Sequence, residues 1–238
     1  MPMIPESIIA MMACWRIGAI HSVVFGGFAA PELADRINDA NPKLVITSSV
    51  GIEPRKKINY FKNVSEAINL SNSQKEKGQN REDTQILLIQ RDDVLSITEN
   101  EINSFKEKTK NLNEVIIYNE EIKKLADNTY VKPVSVNSSH PLYILYTSGT
   151  TGQPKGIVRD TGGCAVTANF TMKYIMNINF GDKIFCSSDI GWIVGHLFMV
   201  YGPLIRGGTT ILLEGKPVGT PDCSVCFKII EKYKVTTA

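Results

Sequence analysis

Apolar and polar positions alternate along the first half of the chain in the order helix, strand, helix, strand. Pro5 and Glu6 suit a first helical turn, and apolar residues follow at helical spacing to about Ile17. The β-rich run AIHSVVF ends at Gly26 and Gly27, APELADRINDANP has a helical pattern, and KLVITSS predicts a buried strand. This order predicts βαβ units and a parallel sheet.

The same alternation continues beyond a polar stretch at residues 71–84, which predicts a solvated surface connection. Buried strands are predicted at QILLIQ, EVIIYN, PLYILYT, DKIFCSS and TTILLEG, and helices at GCAVTANFTMKYIM and CSVCFKIIEKY. The segment between QILLIQ and EVIIYN predicts a peripheral helix at most. The apolar run GWIVGHLFMVYGPLIRGG carries only Arg206 as a formal charge, so it predicts a helix buried on several sides. The predicted fold class is α/β, with layered parallel-rich sheets and packed helices.

The composition of the chain does not favour nucleic acid or a membrane as a partner. The chain has 238 residues, 43% of them hydrophobic, and a net charge of +2, which provides no overall field for nucleic acid. No apolar run is long enough to predict a membrane span. The five cysteines are an odd number scattered through apolar surroundings, which favours reduced thiols in the cytosol or an organellar matrix. Cys223 and Cys226 have CxxC spacing without a second pair, so we expect small buried residues in a first helical turn rather than a zinc site.

The segment LYTSGTTGQPKG, residues 145–156, combines hydroxyl groups, glycines and Lys155 directly after a predicted strand. Glycines let backbone N–H groups approach an anion closely, and hydroxyl donors and a lysine add further contacts to phosphate oxygens. The segment does not fit a Walker A loop, because Pro154 and Gly156 occupy the positions of the required second glycine and of the serine or threonine after the lysine. The chemistry predicts a polyphosphate-binding loop that leads towards a helix, and a flexible surface loop is the alternative.

YTSGTTGQPKG resembles the phosphate-binding motif of the adenylate-forming (AMP-binding) enzymes. The segments MPMIPE, GAIHSVVFGGF, SSDIGWIVGH, YGPL and EGKPVGTPD are similar to short-chain acyl-CoA synthetases, especially the propionyl-CoA and acetyl-CoA synthetase branch. The resemblance runs along the whole chain and weakens between about residues 75 and 137. It implies that a carboxylate, ATP with Mg²⁺ and coenzyme A are converted through an acyl-adenylate to acyl-CoA, AMP and diphosphate.

The resemblance also assigns the residues of the phosphate loop. Lys155 is the expected catalytic residue, because charge builds on the departing diphosphate. The expected ATP-phosphate contacts are Thr147, Ser148, Gly149, Thr150, Thr151, Gly152 and Lys155.

Two further sites follow from the resemblance. The expected coenzyme A contacts are Gly26, Gly27, Glu53, Pro54, Arg55 and Lys56. Glu53 stands where acetyl-CoA synthetases often carry arginine, and an exposed basic helix start is the alternative interpretation of GIEPRKK. The expected acyl pocket is Trp192, Ile193 and Val194, with Val194 making it more apolar. His196 either approaches the substrate or Mg²⁺ or is a structural residue, and no metal-binding residue is assigned.

The resemblance implies that residues 1–238 are part of the N-terminal domain of such an enzyme. Its expected parts are coenzyme A-side βα units at residues 1–70, a variable connection at 71–137, and phosphate-loop and acyl-pocket units at 138–238. We expect a truncated form, because the family's adenine-binding segment and mobile C-terminal domain have no counterpart here. An inactive fragment that retains nucleotide or partner binding, or another adenylate-forming enzyme, are the alternatives. The expected compartment is the mitochondrial matrix or the cytosol.

Overall fold

The computed structural model describes residues 1–53, 56–74, 84–109, 113–126, 129–147, 154–215 and 222–238. Its helices are α1 (Pro5–Ile17), α2 (Ala30–Ala40), α3 (Tyr60–Ser73), α4 (Glu99–Lys108), α5 (Tyr118–Lys124), α6 (Thr161–Phe170), α7 (Ile193–Gly195), α8 (Gly202–Ile205) and α9 (Val225–Tyr233). Its strands are β1 (Leu44–Ser48), β2 (Val50–Glu53), β3 (Lys56–Asn59), β4 (Gln85–Ile89), β5 (Val115–Ile117), β6 (Pro141–Thr147), β7 (Lys155–Asp160), β8 (Lys183–Phe185) and β9 (Thr209–Ile211). Two π-helical segments, Thr171–Ile175 and His196–Tyr201, continue α6 and α7.

The chain forms two compact units. The first contains residues 26–52 and 56–131, and its centre is a parallel sheet in the order β1-β4-β5. The middle strand β4 is flanked on both sides, and its Ile86 and Leu88 are fully buried against α2, α3 and α4. Ile89, on the opposite face of the strand, is 4% exposed, so this apolar run is buried on both faces. Strands β2 and β3 form a separate two-stranded sheet.

Helix α4 belongs to the first unit and lies in the segment between QILLIQ and EVIIYN. For this segment the sequence predicts at most a peripheral helix. The hydroxyl of Thr98 accepts a hydrogen bond from the N–H of Glu101, and the Glu101 carboxylate accepts one from the N–H of Thr98. This capping box satisfies backbone donors at the start of the helix. One side of the helix packs on the core through Phe105, which is 3% exposed.

The second unit contains residues 2–25, 53–55 and 132–238. Strands β6 and β7 are antiparallel, and β8 and β9 are parallel. The core of this unit gathers α1, β6, α6 and the segment from α7 to α8, with Met11, Leu142, Ala168, Val200 and Tyr201 at its centre. The predicted burial of the apolar segment is confirmed for its middle, since Met199, Val200 and Tyr201 are at most 1% exposed. It is wrong for the start of the segment, where Trp192, Ile193 and Val194 are exposed.

The α/β class with a parallel sheet and packed helices is confirmed, but two local predictions are wrong. AIHSVVF is not a regular strand, and its His21 makes only an isolated parallel bridge with Tyr143. The hydroxyl-rich loop leads into β7 before α6 begins, because the β-branched centre of β7 pairs with β6. Helix α3 and strands β2 and β3 had not been predicted. Among the described residues, no helix has both the length and the apolar character needed to cross a bilayer.

Candidate active site

The two ends of the predicted phosphate loop lie side by side. Thr147 is the last residue of β6, Lys155 is the first residue of β7, and the two are direct partners in the antiparallel register. Residues directly opposite each other in such a pair have Cβ atoms about 4.5–5.5 Å apart. Both residues are exposed. The predicted contacts Ser148, Gly149, Thr150, Thr151 and Gly152 lie outside the described residues.

The base of this hairpin is held by polar contacts at its other end. The Asp160 carboxylate accepts a hydrogen bond from the N–H of Gly163 at 2.6 Å and so caps the N-terminus of α6. The hydroxyl of Thr161 donates to the carbonyl of His140 at 2.9 Å. The hairpin and the following helix therefore form one local structure that carries Thr147 and Lys155 at its tip.

The predicted acyl-pocket residues lie together at the start of α7. Trp192, Ile193 and Val194 are 46%, 42% and 44% exposed, although all three are apolar. The ring of Trp192 packs against Phe25, with the centroids 5.6 Å apart. These three side chains form an accessible apolar surface rather than part of the described core.

A tight turn presents this surface. The Asp189 carboxylate accepts a hydrogen bond from the N–H of Gly191 at 2.7 Å, and its carbonyl accepts one from the N–H of Trp192 at 3.1 Å. A Cβ on Gly191 would lie 2.8 Å from the backbone of Phe25, and one on Gly195 would overlap the Asp189 carbonyl. Both glycines are therefore required by close backbone approach. Burial raises the pKa of Asp189, and the hydrogen bond from Gly191 partly opposes this.

His196 lies beneath the turn, inside the core. Its residue is 1% exposed, its Nδ1 lies 3.0 Å from the Trp192 carbonyl oxygen, and its ring packs on Tyr143 with centroids 4.6 Å apart. Burial lowers its pKa, which keeps the ring neutral at pH 7. The structural interpretation of His196 therefore fits its position better than a role beside the substrate or Mg²⁺.

A second, half-buried histidine adjoins the first. The rings of His21 and His196 are parallel, with centroids 6.2 Å apart, and the Nε2 of His21 lies 2.8 Å from the hydroxyl of Tyr201. Burial, together with the neighbouring His196, lowers the pKa of His21 to about 4. The sequence provided no signal for this pair, since 174 residues of chain come between them.

The predicted coenzyme A residues divide between a turn and two strand ends. Gly26 and Gly27 form a turn before α2, while Glu53 ends β2 and Lys56 begins β3. Pro54 and Arg55 lie outside the described residues. The alternative interpretation of this segment as a helix start is wrong, because strands flank it on both sides.

Tyr60 is a residue that sequence reasoning missed. A Cβ on Gly26 would lie 2.8 Å from Cε1 of the Tyr60 ring, and one on Gly51 would overlap that ring. Tyr60 therefore packs between the Gly26 turn and strand β2, within the first unit. The two glycines leave the space that the ring occupies. The glycines at positions 26 and 51 are the only sign of this contact in the sequence.

Among the described residues, no three histidine, cysteine, aspartate or glutamate side chains come together in a way that could hold a metal ion. The burial expected for both residues of the CxxC pair is wrong, since Cys223 is exposed and precedes α9, and Cys226, within α9, is half-buried.

The profile of the family described as AMP-binding enzyme matches residues 1–238. The chain belongs to this family. It is 45% identical over 235 residues to acyl-CoA synthetase short-chain family member 3, mitochondrial, of Mus musculus, covering 99% of this chain and 31% of the relative. It is 39% identical over 236 residues to the acetyl-coenzyme A synthetase of Photobacterium profundum, covering 99% of this chain and 33% of that protein.

A solved structure has a similar fold. The structure of acetoacetyl-CoA synthetase from Streptomyces lividans superposes with a TM-score of 0.80 at 24% identity, covering 100% of this chain and 33% of that protein. This likeness shows the fold. The chain thus spans about a third of the length of the curated relatives it matches.

Proposed function

We propose that the protein takes part in the ligation of a short-chain carboxylate to coenzyme A, with ATP as the source of energy. The observation that carries this proposal is the pairing of Thr147 with Lys155 at the two ends of the hydroxyl- and glycine-rich segment. The pairing brings the two ends of this predicted loop together, and Lys155 provides a positive charge at one of them. Such a loop suits the oxygens of a triphosphate.

In the first step, a carboxylate oxygen of the substrate attacks the α-phosphorus of ATP and the bond to the β-phosphate oxygen breaks. Negative charge then builds on the departing diphosphate, and we assign its stabilisation to Thr147, Lys155 and the backbone between them. We propose that ATP enters as its Mg²⁺ complex, in which the cation neutralises phosphate charge. No residue of this chain is assigned as its ligand.

In the second step, the thiol sulfur of coenzyme A attacks the acyl carbon of the acyl-adenylate, AMP leaves, and the thiol proton is lost. We assign Gly26, Gly27, Glu53, Pro54, Arg55 and Lys56 to the binding of coenzyme A. Lys56 is exposed at the start of β3 and provides a positive charge for a phosphate. Glu53 has the opposite charge and does not add such a contact.

The apolar surface of Trp192, Ile193 and Val194 supports a short alkyl substrate. Propionate is the substrate that we favour, and acetate or butyrate come next. Val194 has two methyl groups, whereas a threonine at this position would add a hydroxyl and make the surface more polar. The apolar valine therefore suits propionate, which has one methylene more than acetate. The relatives from Mus musculus and Dictyostelium discoideum have names that include the word mitochondrial, and we propose the mitochondrial matrix as the compartment.

The test uses the full-length protein that contains this chain. Exchange of labelled diphosphate into ATP is measured with acetate, propionate, butyrate or no acid, and acyl-CoA is then measured after addition of coenzyme A. We expect acid-dependent exchange with propionate highest, and thioester only when coenzyme A is present. Exchange without thioester formation would favour another adenylate-forming enzyme. Binding of ATP without any acid-dependent exchange would favour an inactive nucleotide-binding protein.

A further inference from the structure

Two cysteines three residues apart stand at the start of α9. Cys223 is exposed in the turn before the helix, and Cys226 is half-buried in its first turn. Between them, Ser224 has right-handed helical backbone angles and Val225 is the first residue of α9, so the chain turns from one cysteine to the other. Cα atoms at the two ends of a four-residue turn lie less than about 7 Å apart, and disulfides join residues with Cα atoms about 4.4–6.8 Å apart. A disulfide between them therefore needs only a small local adjustment.

The turn that carries these cysteines is held by the carboxylate of Asp222. The Asp222 carboxylate accepts hydrogen bonds from the N–H of Ser224 and from the ammonium of Lys228, each at 2.8 Å. Val225, between the two cysteines, is 7% exposed. The anchored backbone keeps Cys223 at the surface, with Cys226 beside it and less accessible.

The other three cysteines have a different environment. Cys14, Cys164 and Cys186 are half-buried, and Cys164 and Cys186 pack against the core of the second unit. Burial raises the pKa of Cys14 and of Cys186, and raises the pKa of Cys164 to about 11. The thiolate is the reactive form of cysteine, so these three thiols are poor nucleophiles.

We propose that Cys223 and Cys226 form a reversible dithiol–disulfide pair that exchanges with small-molecule disulfides such as oxidised glutathione. The Cys223 thiolate attacks one sulfur of the small disulfide, whose S–S bond breaks and releases one glutathione thiolate. The Sγ of Cys226, after losing its proton to solvent, then attacks the Sγ of Cys223 and releases the second glutathione. The chain loses two electrons and two protons, and the small disulfide gains them as two thiols. This site is independent of the proposed ligase activity.

The experiment exposes the reduced, folded 238-residue chain to excess oxidised glutathione, blocks remaining thiols by alkylation, and maps the peptides by mass. We expect the peptide with Cys223 and Cys226 to lose two hydrogen atoms, while Cys14, Cys164 and Cys186 are recovered in reduced form. Reaction at all five cysteines at similar rates would overturn the proposal. So would a stable glutathione adduct on Cys223 of the unsubstituted chain.

Single substitutions separate the two roles. Cys226→Ser should stop the reaction at a glutathione adduct on Cys223, and Cys223→Ser should slow the reaction of this peptide at least about tenfold. Cys186→Ser is the matched control and should leave the rate unchanged. Circular dichroism spectra confirm that each variant is folded before the reaction is measured. An unchanged rate in Cys223→Ser would show that Cys223 is not the attacking thiol.

Discussion

His196 holds the carbonyl oxygen of Trp192 from two directions. Its ring Nδ1 lies 3.0 Å from that oxygen, and its backbone N–H donates to the same oxygen at 3.0 Å. The buried imidazole therefore supports the backbone of the turn whose exposed side chains are the proposed acyl surface. Its neighbour His21 extends this support to Tyr201, so the apolar surface rests on a buried polar cluster.

This cluster predicts that the protein loses stability in mild acid. The pKa of His21 is about 4 in the folded chain, against 6.5 for an ordinary histidine, because burial disfavours the charged ring. The unfolded chain therefore binds more protons between these values, and the free energy of unfolding falls as the pH falls through this range. For His21 alone the loss from pH 7 to pH 5 is roughly 2 kcal/mol, and His196 acts in the same direction.

The measurement is urea unfolding of the chain at pH 7 and pH 5, with His21→Gln as the comparison. Glutamine can still reach the Tyr201 hydroxyl but does not titrate, so the variant should show a smaller loss of stability between the two pH values. An equal loss in both proteins would assign the acid sensitivity to other groups.

Lys155 should matter for the step that releases diphosphate. In the full-length protein, Lys155→Ala should slow acid-dependent exchange of diphosphate into ATP by about tenfold or more, because a charge facing the leaving group is lost. Acyl transfer from supplied acyl-adenylate to coenzyme A should change much less. Lys183→Ala is the matched control, since Lys183 is also exposed at the first position of a strand. Equal losses in both half-reactions would remove Lys155 from the proposed role.

Lys56 should matter for coenzyme A and not for the acyl-adenylate. Lys56→Glu should raise the KM for coenzyme A several-fold by replacing an attractive charge with a repulsive one, while diphosphate exchange is unchanged. Lys57→Glu is the control, because neighbouring strand residues point to opposite faces and the Lys57 ammonium donates to the Val94 carbonyl at 2.8 Å. If the two variants behave alike, a general change of charge is the cause.

Val194 should influence the choice of acid. Val194→Thr should shift the ratio of kcat/KM values from propionate towards acetate by on the order of tenfold, because one methylene is worth only about 1–3 kcal/mol in an apolar pocket. Val166→Thr changes an exposed valine of α6 in the same way and should leave the ratio unaltered. An unaltered ratio in Val194→Thr would mean that residue 194 does not contact the acyl group.

The sequence by itself determined the features that depend on residues close together along the chain. The apolar runs around β1, β4 and β6 predict strands because each run is short, β-rich and bounded by turn residues. The first helix was predicted from Pro5 and the apolar spacing that follows it. The hydroxyl- and glycine-rich segment predicts anion binding because its chemistry resides in consecutive residues.

The tertiary structure decided which distant residues meet. The exposed strand β7 forms because it pairs with β6, and the pattern of apolar and polar residues within β7 does not predict this pairing. The same holds for Tyr60 between Gly26 and Gly51, and for His196 beneath Trp192. Burial and backbone hydrogen bonds between segments far apart in sequence are properties of the folded chain, so they override local propensity and give these residues their surroundings.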